Sequence, residues 1–250
     1  MPYSFLFTEL VKRDFKKKYK RTYLGVVWSL LAPMLHLLVL ALVFTQFFGK
    51  EIEHYIIYLF AGNLIFFYFK ESSYGGMQAI KDNSHIIKSI KVPNFIFIIS
   101  KNASSLATFS LTLVIFFIFS AIDGITFSFA FLTLIYPIIC LFLFSTGIGL
   151  ILSVLYVYFM DIKYLYDIFT LILMYLSAIF YTTDVFSEGI QGLFLLNPVY
   201  VYILYFRTVV LQNTVPAFNL HLISALYAVL AITAGYFIYR KYNQELVDYM

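Results

Sequence analysis

The chain has 250 residues, of which 62% are hydrophobic and only 12% are charged, and its mean hydropathy is +0.88. Soluble domains are about 45–50% apolar and about 25% charged, because charged residues cover the surface that faces water. This composition excludes a soluble enzyme, a nucleic-acid-binding protein and a disordered scaffold, and it predicts a protein that folds in lipid. The single cysteine, Cys140, excludes an intrachain disulfide. The four histidines share no ligand spacing, so we expect no metal site.

The first 23 residues combine a stripe of aromatic and apolar side chains with basic ones. The stripe recurs at every fourth position, at Tyr3, Phe7, Val11, Phe15, Tyr19 and Tyr23. On a helix of 3.6 residues per turn such a stripe winds slowly and still gives an amphipathic face. The pattern predicts an interfacial helix held by apolar burial and by attraction to anionic lipid. The alternative is a basic segment that only orients the first span.

Six apolar stretches follow, and each is predicted to cross the membrane as a helix, which takes about 20 residues. They are residues 28–48, 55–73, 103–122, 131–158, 168–183 and 220–239. Helices are favoured because the apolar runs are continuous and because unpaired backbone groups are very costly in lipid. The sequence therefore predicts a single all-α domain. It comprises an interfacial helix in residues 1–27, a six-span bundle in residues 28–240 and a cytoplasmic tail in residues 241–250.

Lysine and arginine positions orient these spans. Seven lie in residues 12–21, five in residues 70–101, one at Lys163 and two in residues 240–241, which leaves only Lys50 and Arg207. With the N-terminus in the cytoplasm, all but these two fall on the cytoplasmic side, as the positive-inside rule requires. The sequence thus predicts a multi-pass protein with both termini in the cytoplasm.

The cytoplasmic stretch between the second and third predicted spans, residues 71–101, is long for a connection between neighbouring helices. Residues 79–92 mix isoleucine with lysine and are predicted to form a short helix that Pro93 ends. Apolar residues exposed on a cytoplasmic helix favour a docking surface. Its candidate residues are Ile80, His85, Ile86, Ile90 and Pro93. The alternative is a helix that packs only on its own chain.

The outer segment, residues 184–219, contains an apolar run at residues 199–212 that is too short to cross the membrane. Asn197-Pro198 precedes this run, and proline is favoured at the start of a helix. The run is predicted to be re-entrant or interfacial. Arg207 lies within it, and we expect its charge to face a partner or water rather than lipid.

Motifs for nucleotide binding or catalysis are absent from the sequence. The pair Gly49-Lys50 has no glycine five residues earlier and is followed by Glu51, so it does not match a phosphate-binding loop. No acidic residue lies in the middle of a predicted span, which disfavours an ion-coupled carrier and a membrane enzyme. We therefore expect a transport subunit that is not itself an enzyme and binds no cofactor, driven by a soluble partner.

The N-terminal residues resemble the signature of the membrane subunits of ATP-binding-cassette polysaccharide exporters. The matching residues are Arg13-Asp14, the basic run 16–21 around Tyr19, Leu24-Gly25, Trp28 and Pro33. Weaker likenesses follow at Pro93, Asp161, Phe180-Tyr181 and Asn197-Pro198. The sequence departs from the family at Met160, where the family often has arginine, and at Ala178, where it often has proline.

This resemblance implies a permease of the bacterial cytoplasmic (inner) membrane that exports an undecaprenyl-pyrophosphate-linked glycan, such as the O-antigen of lipopolysaccharide or a teichoic acid. It implies a homodimer that forms a channel at its axis and carries two copies of a soluble ATPase, which uses ATP and magnesium. The helix before Pro93 then becomes the coupling helix to that ATPase. The basic residues that would gate the cytoplasmic side and meet the lipid pyrophosphate are Arg13, Lys16, Lys17, Lys20 and Arg21.

Aromatic residues are numerous, with 22 tyrosines and 29 phenylalanines. Tyrosine rings stack on the C–H faces of sugars while their hydroxyls form hydrogen bonds. Candidates for the glycan path are Tyr58, Tyr68, Tyr156, Tyr181, Tyr202 and Phe206. The alternative is an aromatic belt at the two membrane interfaces. Two rival functions stay open at this point: a drug or lipid exporter permease of the same superfamily, and a membrane-embedded enzyme or scaffold of polysaccharide synthesis.

Overall fold

The computed structural model describes residues 2–19, 23, 25–48, 52–89 and 92–243, and every regular element in this part of the chain is helical. The α-helices are α1 (Pro2–Tyr19), α2 (Trp28–Phe48), α3 (Tyr55–Asp82), α4 (Ser84–Ser89), α5 (Phe95–Ile122), α6 (Ile135–Tyr158), α7 (Ile162–Leu176), α8 (Glu188–Phe194), α9 (Pro198–Leu211) and α10 (Phe218–Tyr242). Short 3-10 turns precede α2, α6 and α8. The prediction of an all-helical chain is confirmed.

Within the described residues, three helical stretches are long and apolar enough to cross a membrane: Phe95–Ile122, Phe129–Tyr158 and Phe218–Tyr242. A fourth crossing results if α8 and α9, which are bent by 103° at their junction, are counted as one broken span. The structure therefore supports an integral membrane protein with three or four such helices. The six predicted stretches exceed this number for three reasons: α2 counts only as a shorter apolar helix, Leu31–Gln46, α3 carries charged residues from Lys70 onward, and α7 has only 15 residues.

The connection between α3 and α5 is shorter than the sequence predicted. Helix α3 does not end near Ser73 but continues to Asp82, and α5 already begins at Phe95. One continuous helix over residues 79–92 was the wrong prediction, because the chain breaks at Asn83. The backbone N–H of Asn83 bonds the Ile80 carbonyl at 3.2 Å and its side chain bonds the Ala79 carbonyl at 2.7 Å. Hydropathy marks the apolar part of a helix, whereas the backbone stays helical through polar residues.

Helix α7 is also displaced from its predicted position at residues 168–183. It begins at Ile162 and ends at Leu176. A tight turn in which Ala178 has a φ of +47° follows it. The residues up to Thr183 are apolar enough to be read as a span, but their backbone reverses direction instead of continuing the helix.

Small residues let the helices of the bundle approach closely. A methyl group added at Gly147 of α6 would lie 2.3 Å from the Ala231 carbonyl oxygen of α10, and one added at Gly235 would lie 2.5 Å from the Gly147 oxygen. At Gly76 of α3 it would lie 2.9 Å from Cα of Gly149. Such contacts maximise backbone packing where lipid supplies no hydrophobic driving force between helices. They make α3, α6 and α10 the centre of the fold.

A separate apolar cluster closes one end of the bundle, which we call the α4 end. It unites residues of α1, α3, α4, α5, α6 and α10, namely Leu10, Ala79, Ile80, Ile87, Ile96, Phe97, Ile98, Leu150, Val154 and Tyr239. The opposite end, which we call the Arg207 end, contains the start of α3, the turn after α7 and helix α9. These two ends hold most of the residues selected from the sequence.

Candidate functional site

The predicted docking residues differ in where they lie at the α4 end. Ile80 is fully buried in the chain's own cluster, whereas Ile86 and Pro93 are partly buried. His85 is exposed on α4, and Ile90 lies outside the described residues. The exposed side chains of α4 are therefore polar, namely His85, Lys88 and Ser89. A contact with an ATPase stays a prediction.

Helix α1 rests on the bundle through a row of residues next to the aromatic stripe. Leu10 is 3% exposed and Asp14 is 8% exposed, and α1 packs mainly on α5. Tyr3 is exposed, whereas Phe7 is partly buried and packs against the apolar cluster of the α4 end, so the stripe joins this contact only in part. Among the predicted gate residues, Lys16 and Lys17 are exposed, Arg13 is half-buried, and Lys20 and Arg21 lie outside the described residues.

Four charged residues meet where α1 crosses the bundle, a cluster that sequence reasoning missed. The carboxylate of Asp14 accepts two bonds from the Arg13 guanidinium at 2.8 and 3.0 Å. Its other oxygen lies 3.4 Å from Nζ of Lys101, which is also 3.8 Å from the Asp82 carboxylate. No spacing rule could have found this cluster, because Lys101 is distant from Asp14 along the chain. Lys101 had been read only as a topology signal, and Asp14 only as part of the resembled N-terminal signature.

A cavity of about 810 Å³ lies between α2, α3 and α5. Lys18 of α1 lies at this cavity and bonds Glu71 of α3 at 2.8 Å. Its apolar walls include Phe60, Leu64, Phe67 and Phe109, together with Trp28, Pro33 and Leu37 from the N-terminal part. Asn63 lines the same space, and its buried Oδ1 has no hydrogen-bond partner within the described part of the chain. The cavity is thus mostly apolar, with an unpartnered amide oxygen and the hydroxyl groups of Ser105, Thr108 and Thr112 among its lining and an ion pair at its edge.

One predicted aromatic residue, Tyr68, lines this cavity. Its hydroxyl donates to the Asn102 side-chain oxygen at 2.5 Å, and the Asn102 amide donates to the Phe142 carbonyl at 2.9 Å. A buried polar chain thereby joins α3, α5 and α6. Nearby, at the start of α7, a hydrogen bond with Tyr74 holds the pKa of the Lys163 ammonium above its usual range.

The Arg207 end contains a buried cation held by backbone oxygens. The Arg207 guanidinium donates to the carbonyls of Tyr58 at 3.1 Å, Ala178 at 2.8 Å and Ile179 at 2.9 Å. A methyl group added at Gly62 would lie 2.7 Å from its Nη2, so glycine leaves the room the guanidinium needs. Two of these carbonyls follow the C-terminus of α7, where backbone oxygens lack helical partners and favour a positive charge. Arg207 thus ties α9 to α3 and to the turn after α7.

The turn after α7 contains a residue in the left-handed backbone region. Ala178 is fully buried, with φ at +47°. Proline fixes φ near −65° and cannot adopt this conformation. The carbonyls of Ala178 and Ile179 in this turn are aimed at Arg207.

The remaining aromatic candidates are dispersed. Tyr58 and Tyr181 meet at the Arg207 end, where the Tyr58 hydroxyl donates to the Tyr181 carbonyl at 2.6 Å. Tyr202 and Phe206 are fully buried in the protomer, and the Tyr202 hydroxyl donates to the Ser224 carbonyl at 2.9 Å. Tyr156 is partly buried at the α4 end, with Nζ of Lys81 at 5.4 Å from its ring centre. The structure brings only two of the six together, and a glycan path stays a prediction.

Comparisons with known proteins cover nearly the whole chain. The chain is 24% identical over 247 residues to an O-antigen export system permease protein RfbA of Klebsiella pneumoniae, covering 97% of this chain and 94% of that protein. A protein of the same name from Myxococcus xanthus is 23% identical over 250 residues, covering 98% and 95% of the two chains. The profile of the ABC-2 type transporter family matches residues 6–211. This match spans most of the bundle, from α1 to the end of α9, and the chain therefore belongs to the ABC-2 type transporter family.

Proposed function

We propose that the chain is the channel-forming membrane subunit of an ATP-driven exporter that moves a lipid-linked polysaccharide across the bacterial cytoplasmic membrane. The observation that carries the proposal is the similarity, over nearly the whole of this chain, to two permeases named for O-antigen export. The substrate would be an O-antigen, or a teichoic acid or related cell-wall glycan, on an undecaprenyl-pyrophosphate carrier.

In the proposed topology, α2, α3, α5, α6, α7 and α10 cross the membrane, while α8 and α9 enter from the outer side and return. Charge placement supports this arrangement. Lys88 of α4 lies at the α4 end, and so do Arg240 and Lys241 in the last turn of α10. The ends of α5 and α10 meet there, since the Asn94 side chain bonds that of Asn243 at 3.1 Å. This end would face the cytoplasm, together with both termini.

In the proposed assembly, two permeases form a homodimer and each carries one soluble ATPase, which supplies the ATP and magnesium chemistry. The exposed face of α4 would dock on that ATPase. Arg13, Lys16 and Lys17 of α1, together with Lys20 and Arg21, would attract the pyrophosphate of the carrier lipid, because cationic side chains near the surface favour anionic headgroups. The cavity edged by Lys18 and Glu71 lies beside these residues of α1.

The experiment that tests the proposal is purification of the tagged chain from its source bacterium, followed by depletion of the chain in cells. We expect an ATPase with a phosphate-binding loop to co-purify. On depletion, we expect lipid-linked glycan to accumulate inside the cell while the surface glycan disappears. Normal surface glycan together with altered drug or lipid efflux would support the alternative exporter. Absence of any ATPase would contradict both.

A further inference from the structure

The charged cluster at the α1 crossing joins three helices through one ammonium. Lys101 lies in the second turn of α5, and its Nζ is 3.4 Å from Asp14 of α1 and 3.8 Å from Asp82, the last residue of α3. The two carboxylates therefore share a single cation while belonging to different helices. The proposed function assigns no role to this arrangement.

The surroundings of Lys101 restrict the positions that its ammonium group can occupy. The Asp14 side chain is 5% exposed, and the Arg13 guanidinium bonds its Oδ1. Its Oδ2 forms no hydrogen bond within the described residues and lies 3.4 Å from the Lys101 ammonium. The Lys101 side chain passes over Gly75 of α3, where an added methyl group would lie 3.6 Å from the lysine Cβ. Lys101 itself is 18% exposed. Its ammonium is thus held between α1 and α3.

Asp82 connects this cluster to the docking surface. Only Asn83 separates Asp82 from α4, so a displacement of α4 moves the Asp82 carboxylate as well. A lysine ammonium is a compact charge on a flexible stem that can follow one partner or the other. When the Asp82 carboxylate moves, its attraction for the Lys101 ammonium changes relative to that of Asp14. The contact between Lys101 and Asp14 of α1 then changes as well.

We propose that Lys101 is a positioning residue that transmits displacement of α4 to the interfacial helix α1. The inference rests on the proposed docking of an ATPase at α4. It differs from a purely structural role, because it requires that α1 respond to the nucleotide state of a partner bound elsewhere. The charge of Lys101, rather than the bulk of its side chain, carries this response.

The test uses the complete complex of the chain with its ATPase in lipid nanodiscs. Spin labels are placed at Thr8 of α1 and Arg240 of α10, both exposed, in a Cys140→Ser background with one labelled protomer per dimer. Their distance is measured with and without ATP and vanadate. In the otherwise unchanged protein we expect a shift of about 2 Å, which is typical of switching helices. We expect Lys101→Met to abolish this shift and Lys101→Arg to retain it.

Two further variants complete the design. Lys12→Met removes a lysine that pairs at 3.1 Å with Glu9 of the same helix, and we expect it to leave the shift unchanged. Asp82→Asn neutralises the more exposed partner without burying an unpaired charge, and we expect a reduced shift. If the Lys101→Met variant does not assemble with its ATPase, the label distance measured in Asp82→Asn tests the inference instead.

A full shift in Lys101→Met or in Asp82→Asn would overturn the inference, and so would an α1 that does not move in the unchanged protein. Failure of the ATPase to co-purify would overturn the proposed function, and the inference with it. That failure appears at purification, before any label is attached, so the two failures are distinguishable.

Discussion

Arg207 and Tyr58 contact each other twice. The guanidinium carbon of Arg207 lies 3.3 Å from the centre of the Tyr58 ring, and its nitrogen donates to the carbonyl oxygen of the same tyrosine at 3.1 Å. A cation over a ring face is attracted by the π electrons, and this attraction grows when both groups are removed from water. Within the described residues Arg207 has no carboxylate partner. The free-energy cost of burying its charge is therefore offset by the Tyr58 ring and by three carbonyl oxygens.

We expect Arg207→Lys to destabilise the protein although it keeps the charge. Lysine lacks the planar fork that reaches three carbonyls at once, so at least one buried acceptor loses its donor, which costs about 1–3 kcal/mol. Thermal unfolding of the purified protein in detergent measures the change. Thr208→Ala is the control, because Thr208 bonds only the Leu204 carbonyl of its own helix. Equal stability of Arg207→Lys and the unchanged protein would contradict the assignment.

Tyr58→Phe separates the contribution of the Tyr58 ring from that of its hydroxyl group. It keeps the ring under the guanidinium but removes the hydroxyl that bonds the Tyr181 carbonyl at 2.6 Å. We expect a loss of about 1 kcal/mol, the typical net value of one hydrogen bond, and a smaller effect than that of Tyr58→Leu. Thermal unfolding in detergent ranks the two variants. If Tyr58→Leu were more stable than Tyr58→Phe, the ring would contribute little to the stability of the protein.

Gly147→Ala should destabilise the crossing of α6 and α10. Its new methyl group would lie 2.3 Å from a backbone oxygen, so the helices must move apart, and overpacking of this kind costs about 1–3 kcal/mol. Gly192→Ala is the matched control, since an added methyl group there meets nothing within 4 Å. Thermal unfolding of both variants in detergent measures the difference. Two equally stable variants would argue against the close crossing.

Ala178 should accept glycine but not valine. Glycine tolerates a positive φ, which relieves about 1 kcal/mol of backbone strain. This gain is roughly cancelled because glycine makes the unfolded chain more flexible, so we expect little change in the free energy of unfolding. Valine meets both the strained backbone and a fully buried site, so we expect a loss above about 2 kcal/mol. Folded yield after membrane extraction, together with unfolding temperature, checks both. Tolerance of valine would indicate another conformation of this turn.

The proposed topology is tested by labelling single cysteines in intact cells. In a background lacking Cys140, cysteines at Asp123 and Glu188 should react with an impermeant thiol reagent, because these positions lie at the proposed outer side. Cysteines at Asp82 and Lys163 should react only after the cells are opened. Labelling of the cysteine at the position of Asp82 in intact cells would show that the orientation is the reverse of the proposed one.

Much of the fold could be predicted from the length of the apolar stretches in the sequence, because a helix that crosses lipid must be apolar over most of its span. The starts of α2 and α9 were located correctly, since Trp28 opens an apolar run and Asn197-Pro198 caps a helix through bonds to the backbone of Val199 and Tyr200. The end of α3 could not be predicted this way. The mostly polar residues after Lys70 stay helical because they pack on α5 and α6, a tertiary effect that no local pattern records.

The site was less predictable than the fold. Arg207 stood out as a charge within an apolar run, but its carbonyl partners belong to residues 58, 178 and 179, far away along the chain. Ile80 was selected for its exposure on a docking helix and is instead buried, because α3 extends through it and turns that side chain inward. Which face of a short cytoplasmic helix points outward depends on neighbouring helices, and composition does not specify it.

The close crossing of α6 and α10 also determines which parts of the molecule can move. Helices in backbone contact lose many dispersion contacts at once when they separate, so these two should travel as one rigid frame during a transport cycle. Helix α7 is anchored very differently, because only Tyr166 and Thr170 among its residues are buried in the protomer. Opening and closing should therefore be sought as a sliding of α7 against a stationary α6–α10 pair.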